Sequence, residues 1–585
     1  MNEEPKSIWN RPWTGRGKAL GWFAALAAAI FAIILGIGLA SSNNYKLSDL
    51  TLTALVLSVV IATLATALLW FLRWLCSWRN FRRFLFGVAC LITLIALFYA
   101  VENWRGKHAW DQHRREWEAK GEKFIIAELA PPPVPDEKNF ALTPLLKPAM
   151  EFSHGSNGVV WADTNALARL QRTRADLSPG RKTNDSLVLG NLEQGTFADL
   201  AACRQFYRGN TNYPQPTTAG TPAEDIVFAL GKFDPELTEL RAATVSRPLA
   251  HYPIEYEFEP SWAILLPHLA NLKGLTQLAH MRATAELEAG RSAEALADLK
   301  VGFRISDSIR DEPILIDHLV RVACLAIDLQ TLREGLLRHA WNESQLTDLQ
   351  TYLASIDLLA EYKLAMRGER AFNTTGLDYL RRQRFQQNAM DYLGSEDGGA
   401  ASTPNPSWMP AGWFYQNMLA ISEMHQNFIL AAVDEKARRV NPEKCEALDA
   451  KLESMRLGPY NIFAKMLMPA LSKAVRKSAR MQFYVDAAGV ACALERYRIA
   501  NGAFPETLAA LTPRLLDKIP LDVMDGKPLR YRRNADGGYI LYSVGWNQTD
   551  DGGELAWRTD KERSVDVAKG DWVWFYSAQP TAKSE

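Results

Sequence analysis

Three stretches decide the class of this chain: ALGWFAALAAAIFAIILGIGLA at Ala19–Ala40, TLTALVLSVVIATLATALLWFL at Thr51–Leu72 and FLFGVACLITLIALFYAV at Phe84–Val101. They run 22, 22 and 18 residues without a charged side chain. About 20 apolar residues cross the hydrocarbon core of a bilayer, so all three read as membrane-spanning helices, the third a short one. Trp22, Trp70, Trp74, Trp78 and Trp104 fall near their ends, where an amphipathic ring prefers the membrane–water interface. A cleaved signal peptide has an apolar core of only about 7–15 residues. The first run is longer and two more follow, so three retained helices are expected.

Basic residues set the orientation. Lys6, Arg11, Arg16 and Lys18 precede the first span, and Arg73, Arg79, Arg82 and Arg83 lie between the second and third. The first connection carries only Lys46, beside Asp49. The positive-inside rule then places the amino-terminal tail in the cytoplasm and everything after Val101 on the far side, the periplasm of a bacterial cell.

The whole chain has 585 residues, with 66 Lys+Arg against 66 Asp+Glu and a pI near 7.1. A neutral chain lacks the basic excess of a nucleic-acid binder. Six cysteines without a CxxC pair exclude a zinc ribbon, a thioredoxin-type site and a disulfide-dense scaffold. Cys203, Cys324, Cys445 and Cys492 lie in the exported part, where pairing and free buried thiols both remain open.

Five segments are expected. Residues 1–18 form a cytoplasmic tail and 19–101 the three spans. Residues 102–140 form a polar helical stalk and a Pro-rich linker, Ala130-Pro-Pro-Pro-Val-Pro135. Residues 141–470 form a mainly helical extracytoplasmic domain, and 471–585 a terminal module and tail. Within the helical domain, Leu275, Leu278, Arg282, Ala285 and Ala289 share one helix face, and Gly290 separates them from a helix over Ala293–Ile305. Gly290, Ala295, Leu299 and Gly302 match one tetratricopeptide unit, but no second copy follows, so a single helical hairpin is expected. Arg282 on that apolar face needs a carboxylate, with Glu286 and Asp298 in reach. Asp311 is read as the cap of the next helix, Asn342–Gln345 as a capping box, and Asn441-Pro442 as a helix start. Helices are expected near Trp413–Arg439 and over Tyr460–Asn501, with a long loop at Gly394–Gly412.

Catalytic signatures are mostly missing: there is no P-loop, HExxH, GxSxG or dinucleotide fingerprint. His154-Gly-Ser-Asn-Gly158 has the wrong spacing for a nucleophile elbow and reads as a turn. His251, His268 and His280 match no metal-ligand spacing. Lys473, Arg476, Lys477 and Arg480 share one helix face, either a dock for an acidic partner or lipid headgroups, or a solvated face.

The terminal module carries an ordered set of signals. Asn501-Gly-Ala-Phe-Pro505 follows a helix, and Ile519-Pro-Leu-Asp522 precedes a predicted hairpin with strands at Leu529–Arg533 and Tyr539–Val544. Asn547 and Asp550-Asp-Gly-Gly553 lie beyond it. Over about residues 475–575 this order resembles the globular domain of the major pseudopilin of type II secretion systems. The resemblance implies an α+β fold and a Ca²⁺ ion held on the loop after the hairpin, where Asn547, Asp550 and Asp551 occupy the similar segment. An Asx-rich turn without metal is the alternative. A pseudopilin has one amino-terminal apolar helix behind a short leader, whereas this chain has three spans and a large insert. The module is therefore read as one reused for contact. The chain also resembles large bacterial membrane proteins that end in such a module. The fold expected is a three-helix membrane anchor, a mostly α extracytoplasmic domain and a small α+β module. The function expected is an envelope scaffold or interaction protein, possessing lipid and protein partners. A membrane-anchored periplasmic hydrolase with its site in residues 141–412 is the alternative.

Overall fold

The computed structural model describes residues 16–40, 47–155, 158–174, 189–385, 406–558 and 564–576. The chain divides into two compact units, one up to Glu102 and one from Asn103 onward. The first unit consists of α1 (Arg16–Ala40), α2 (Leu47–Leu75) and the opening part of α3 (Trp78–Glu118). All three are long and apolar enough to cross a membrane. Their leucines, isoleucines and phenylalanines face outward, as lipid-facing side chains do.

The second unit is mostly helical. It opens on the polar half of α3 and a first strand pair, β1 (Phe152–Gly155) with β2 (Gly158–Trp161). Gly155 pairs with Gly158 across this hairpin, and Ser156 and Asn157 of the turn expected at His154–Gly158 lie outside the described residues. Then come α4 (Thr164–Arg172), a small pair β3 (Gly190–Asn191) with β4 (Thr196–Ala198), α5 (Leu200–Gly209), α6 (Pro222–Leu230) and α7 (Asp234–Ser246). The expected helical hairpin is α8 (His268–Glu288) with α9 (Ser292–Asp307), turning at Gly290 with φ 75°. Arg282 meets Glu286 at 3.1 Å and Asp298 at 3.4 Å, as its place on an apolar face requires, and Asp234 and Arg241 complete the group.

Next follow α10 (Leu315–Leu337), α11 (Glu343–Ala354), α12 (Leu358–Gln383), α13 (Ala411–Met424), α14 (Pro442–Ser454), α15 (Ile462–Leu467) and α16 (Ser472–Asn501). Asn342 and Gln345 form the capping box at the start of α11, and the Asn441 side chain caps α14 ahead of Pro442. Most of the loop expected at Gly394–Gly412 lies outside the described residues.

α16 is the axis of the fold. Val475, Ala479, Phe483, Ala487, Val490 and Leu494 are buried, and so are Met481, Tyr484, Ala488 and Ala491 on its other faces. A helix buried over most of its circumference is a core helix. One side meets α10, α11 and α12, and another meets the terminal strands. Those strands are β7 (Arg530–Arg533), β8 (Tyr539–Ser543) and β11 (Trp572–Phe575) in the antiparallel order β11-β8-β7, with β9 (Leu555–Trp557) and β10 (Val565–Gly570) as a separate pair. Tyr539, Leu541 and Ser543 are buried and alternate with half-buried neighbours, while β11 is buried along its length. The hairpin β7–β8 pairs Arg530 with Tyr542 and Arg533 with Tyr539. Residues before and after 470 therefore share one core.

Four local expectations are corrected. The polar half of α3 is no free stalk: Trp110 is buried edge-on against Phe124 at 5.6 Å, and Glu122 accepts from Arg370 at 2.8 Å. Asp311 does not cap α10, which begins at Leu315 with Ile314 before it. The helix begun at Ala411 ends at Met424, passes through one π-helical turn at His425–Ile429, and gives way to β5 (Val433–Asp434) and β6 (Arg439–Val440). The helix expected over Tyr460–Asn501 is interrupted at Met468–Ala470, where Pro469 has no N–H to give.

Gly368 on α12 lies against the loop before α10, where an added Cβ would stand 1.5 Å from the Pro313 carbonyl oxygen. Gly368→Ala must push backbone away from backbone. It should destabilise the detergent-solubilised chain by at least about 1–3 kcal/mol, the cost of overpacking a close contact. Urea unfolding with an unchanged midpoint would contradict this packing.

Candidate functional site

The loop after the β7–β8 hairpin is organised by a cation that belongs to the chain. Arg530 reaches Asp522 at 3.3 Å, Asp525 at 2.7 Å and Asp550 at 2.9 Å. Asp522 is fully buried and also accepts from Ser543 Oγ at 2.8 Å and the Val544 N–H at 3.0 Å. Behind the loop, Asp571 accepts from the N–H groups of Gly553 at 2.6 Å and Asp551 at 3.3 Å, and burial pushes its carboxyl up to about 6. The Asn547 side-chain amide donates to Asp551 at 3.3 Å.

Ca²⁺ needs six to eight oxygen ligands around one point. Asn547, Asp550 and Asp551 do not supply them. Asp550 is held by a guanidinium, and among the described residues no group of three or more His, Cys, Asp or Glu is placed to hold a metal. The donor set as placed does not fit Ca²⁺.

The basic stripe divides in two. Arg480 pairs with Glu193, and the Arg476 guanidinium lies 4.6 Å from the centre of the Trp546 ring. Both are half-buried and serve packing between α16 and its neighbours. Lys473 and Lys477 are exposed. The structure thus leaves two of the four cations on a solvent face.

Sequence reading missed two further places. The first is a groove of about 440 Å³ between α11, α16 and the segment Leu515–Pro520. Gln350 braces it, donating to the Leu515 carbonyl at 2.6 Å and accepting from Arg496 at 3.0 Å. Gly489 opens onto it with nothing within 4 Å of where a Cβ would sit. Asp486 lines it too, held by Gln482 at 3.0 Å, and burial pushes its carboxyl up to about 6. The lining comes from residues 347–354, Arg438, 485–496 and 515–520, so no linear motif marks it. Gly489 inside a strong helical pattern was the one available signal.

The second place is a buried cluster near the start of α8 and α10. His268 and Asp317 approach to 3.5 Å, and the Tyr252 ring stacks on His268 at 4.2 Å. Tyr256 donates its hydroxyl proton to Glu312, and Tyr252 and Ser308 hydroxyls are 3.0 Å apart. Burial pushes Glu312 up to about 7 and raises Asp317. Tyr256 connects the cluster to a cleft of about 480 Å³ lined also by Trp110, Phe124, Thr374, Asp378 and Tyr415. His251 stays apart, half-buried, and His280 is hydrogen-bonded to Thr331 Oγ1 at 2.6 Å. Cys203, Cys324, Cys445 and Cys492 are buried, and burial pushes each thiol up to about 12.

Comparison with protein-family models, with characterised proteins and with solved structures finds no match to this chain.

The arrangement at Arg530 sets an expectation. Adding Ca²⁺ or a chelator should leave the melting temperature of the purified chain unchanged. Arg530→Met should destabilise it by about 1–3 kcal/mol, less than a fully enclosed pair because the Asp550 side is half-exposed. A Ca²⁺-dependent rise in melting temperature of the unaltered protein would overturn the assignment of Arg530 as the resident cation.

Proposed function

We propose that this chain is a membrane-anchored interaction protein of the bacterial envelope, its amino terminus cytoplasmic and the part after Val101 periplasmic, with a pseudopilin-like terminal module reused for contact. The distribution of basic residues around the spans supports the orientation. The order of α16 and the β7–β8 hairpin supports the kinship of the module. The single observation that carries the interaction reading is the groove at Gly489. It is concave, mixes Leu353, Leu515 and Pro520 with Gln350, Arg496 and Asp486, and exposes bare helix backbone. Such a surface suits a segment of a protein partner, with apolar side chains giving affinity and the polar ones orientation.

A photo-crosslinking residue at Thr351 or Lys518 in living cells should trap one discrete protein. Gly489→Phe should abolish that adduct by filling the groove. Gly489→Ala, at an open site in a helix interior, should stabilise the chain by about 1 kcal/mol. Adducts that persist with Gly489→Phe, or none at either position, would count against the groove.

A membrane-anchored hydrolase is the second reading, favoured by the Tyr256–Glu312 contact behind the cleft and the nearby His268–Asp317 pair. A carboxyl held near neutrality is suited to proton transfer. Its raised value also has a consequence for stability. A carboxyl that is harder to ionise when folded stabilises the native state at low pH, and that contribution is lost as pH rises through the folded value. Glu312 and Glu286 are both pushed up to about 7. His318 and His425, which burial holds down to about 3, pull the profile of the whole chain the other way. The test is therefore a difference: Glu312→Gln should gain melting temperature relative to the unaltered chain as pH rises from about 5 to 8. A difference between the two proteins that stays constant across this range would remove the physical basis for a proton-bearing Glu312.

A further inference from the structure

The charge-free run of α3 ends at Val101, and the folded unit begins at Asn103 on the same helix. Asn103 Oδ1 accepts from the Gly412 N–H at 2.9 Å. Gly106 comes so near Gly412 that an added Cβ would stand 2.2 Å from its carbonyl oxygen. Ten residues further along both helices, His113 Nε2 and Ser422 Oγ are 2.8 Å apart. α3 and α13 therefore run side by side in the same direction, rising about 15 Å together. The start of α13 and the chain just before it lie beside the Asn103 end of the polar half of α3.

A second loop reaches the same level. The Arg105 guanidinium lies 4.8 Å from the centre of the Tyr460 ring, and Tyr460 meets Trp413 edge-on at 6.0 Å. Asn417 donates to the Pro459 carbonyl at 2.8 Å, fixing the turn Met455–Asn461 against α13. Large apolar side chains project there into the surroundings: Trp408 is 78% exposed, Trp104 69% and Leu457 65%. Arg105 and Arg456 are exposed among them. Trp, Tyr and Leu interleaved with Arg is the composition of a surface that sits in lipid headgroups.

We propose that the turn Met455–Asn461 and the segment around Trp408 lie in the headgroup layer of the membrane that α3 crosses, giving the folded unit a second, peripheral contact with lipid. Chain continuity identifies the occupant as lipid: this surface packs on Asn103 and Arg105, within about one helical turn of Val101, where the charge-free run ends. The contact depends on α3 spanning the bilayer and is independent of what the Gly489 groove binds.

The test uses the full chain in nanodiscs of phosphatidylethanolamine and phosphatidylglycerol. Cys76 and Cys90 are replaced by Ser, and the four buried thiols are kept. Nitroxide labels are placed singly through Leu457→Cys, Trp408→Cys, Val245→Cys and Leu94→Cys, all of them exposed positions whose side chains support no core. Collision with oxygen and with a water-soluble nickel chelate is then measured. Labels at 457 and 408 should be several-fold less accessible to nickel than the label at 245, with oxygen accessibility between those at 245 and 94. Nickel accessibility at 457 and 408 equal to that at 245 overturns the contact while leaving the span intact. A nickel-accessible label at 94 overturns the span, and the contact with it.

Discussion

The fold depends on one helix being buried over most of its circumference. α16 can lie inside because its inward positions alternate small residues, Ala474, Ser478, Ala479, Ala487, Ala488 and Ala491, with a few large ones, Phe483 and Tyr484. Small residues let α10, α11 and α12 approach on one side and the β8–β11 layer on another, and the large ones fill what remains. The polar contacts within the core follow from this placement. Gln482, at the centre of α16, accepts from the Leu358 N–H at 2.8 Å, satisfying a donor at the start of α12. Arg333 on α10 is buried, and among the described residues no carboxylate is bonded to it. It donates to the carbonyls of Phe575 at 3.1 Å and Gly195 at 2.7 Å, tying the last strand and the β3–β4 pair to the helical layer. Deprived of water, its guanidinium is lowered to about 10.

The same economy recurs at each ion cluster. Arg282 with Asp298 and Glu286, Arg321 with Asp307 and Glu361, and Arg530 with Asp522, Asp525 and Asp550 all place a guanidinium among carboxylates from separate segments. A planar fork with five donors can bridge several elements at once, which a lysine cannot. Buried ion groups of this kind add little net stability, yet removing one partner strands a charge in low dielectric. They fix which segments lie beside which, and an equal count of acids and bases in the chain is consistent with that use.

How far this was legible follows from the range of each interaction. The spans, the capping box at Asn342, the Asn441-Pro442 start, the α8–α9 hairpin and the β7–β8 hairpin are encoded within a few residues, and the sequence displays them. Arg282 was recognisable because its apolar helix face and the i+4 carboxylate are local, but Asp234 and Arg241 come from another helix. The central role of α16 was hidden, since its Ser, Ala and Gln residues dilute the apolar pattern that marks a core helix. The carboxylates at 550 and 551 looked like metal ligands because the cation that Asp550 meets stands 20 residues earlier on β7. The Gly489 groove and the Glu312 cluster are products of packing and carry no linear signature.

Burying the polar half of α3 has a consequence for the folded unit. A stalk on a stiff proline spacer would leave the polar half of α3 outside the core. Instead Trp110 enters the core, Glu122 meets Arg370, and Gly106 presses on Gly412, so the helix that leaves the membrane is itself an element of the folded unit. Parting this stretch of α3 from the rest of the unit would have to separate backbone from backbone at Gly106 and Gly412 and break a contact to an arginine that is 0% exposed. The polar half of α3 is thus held as firmly as any core helix of that unit.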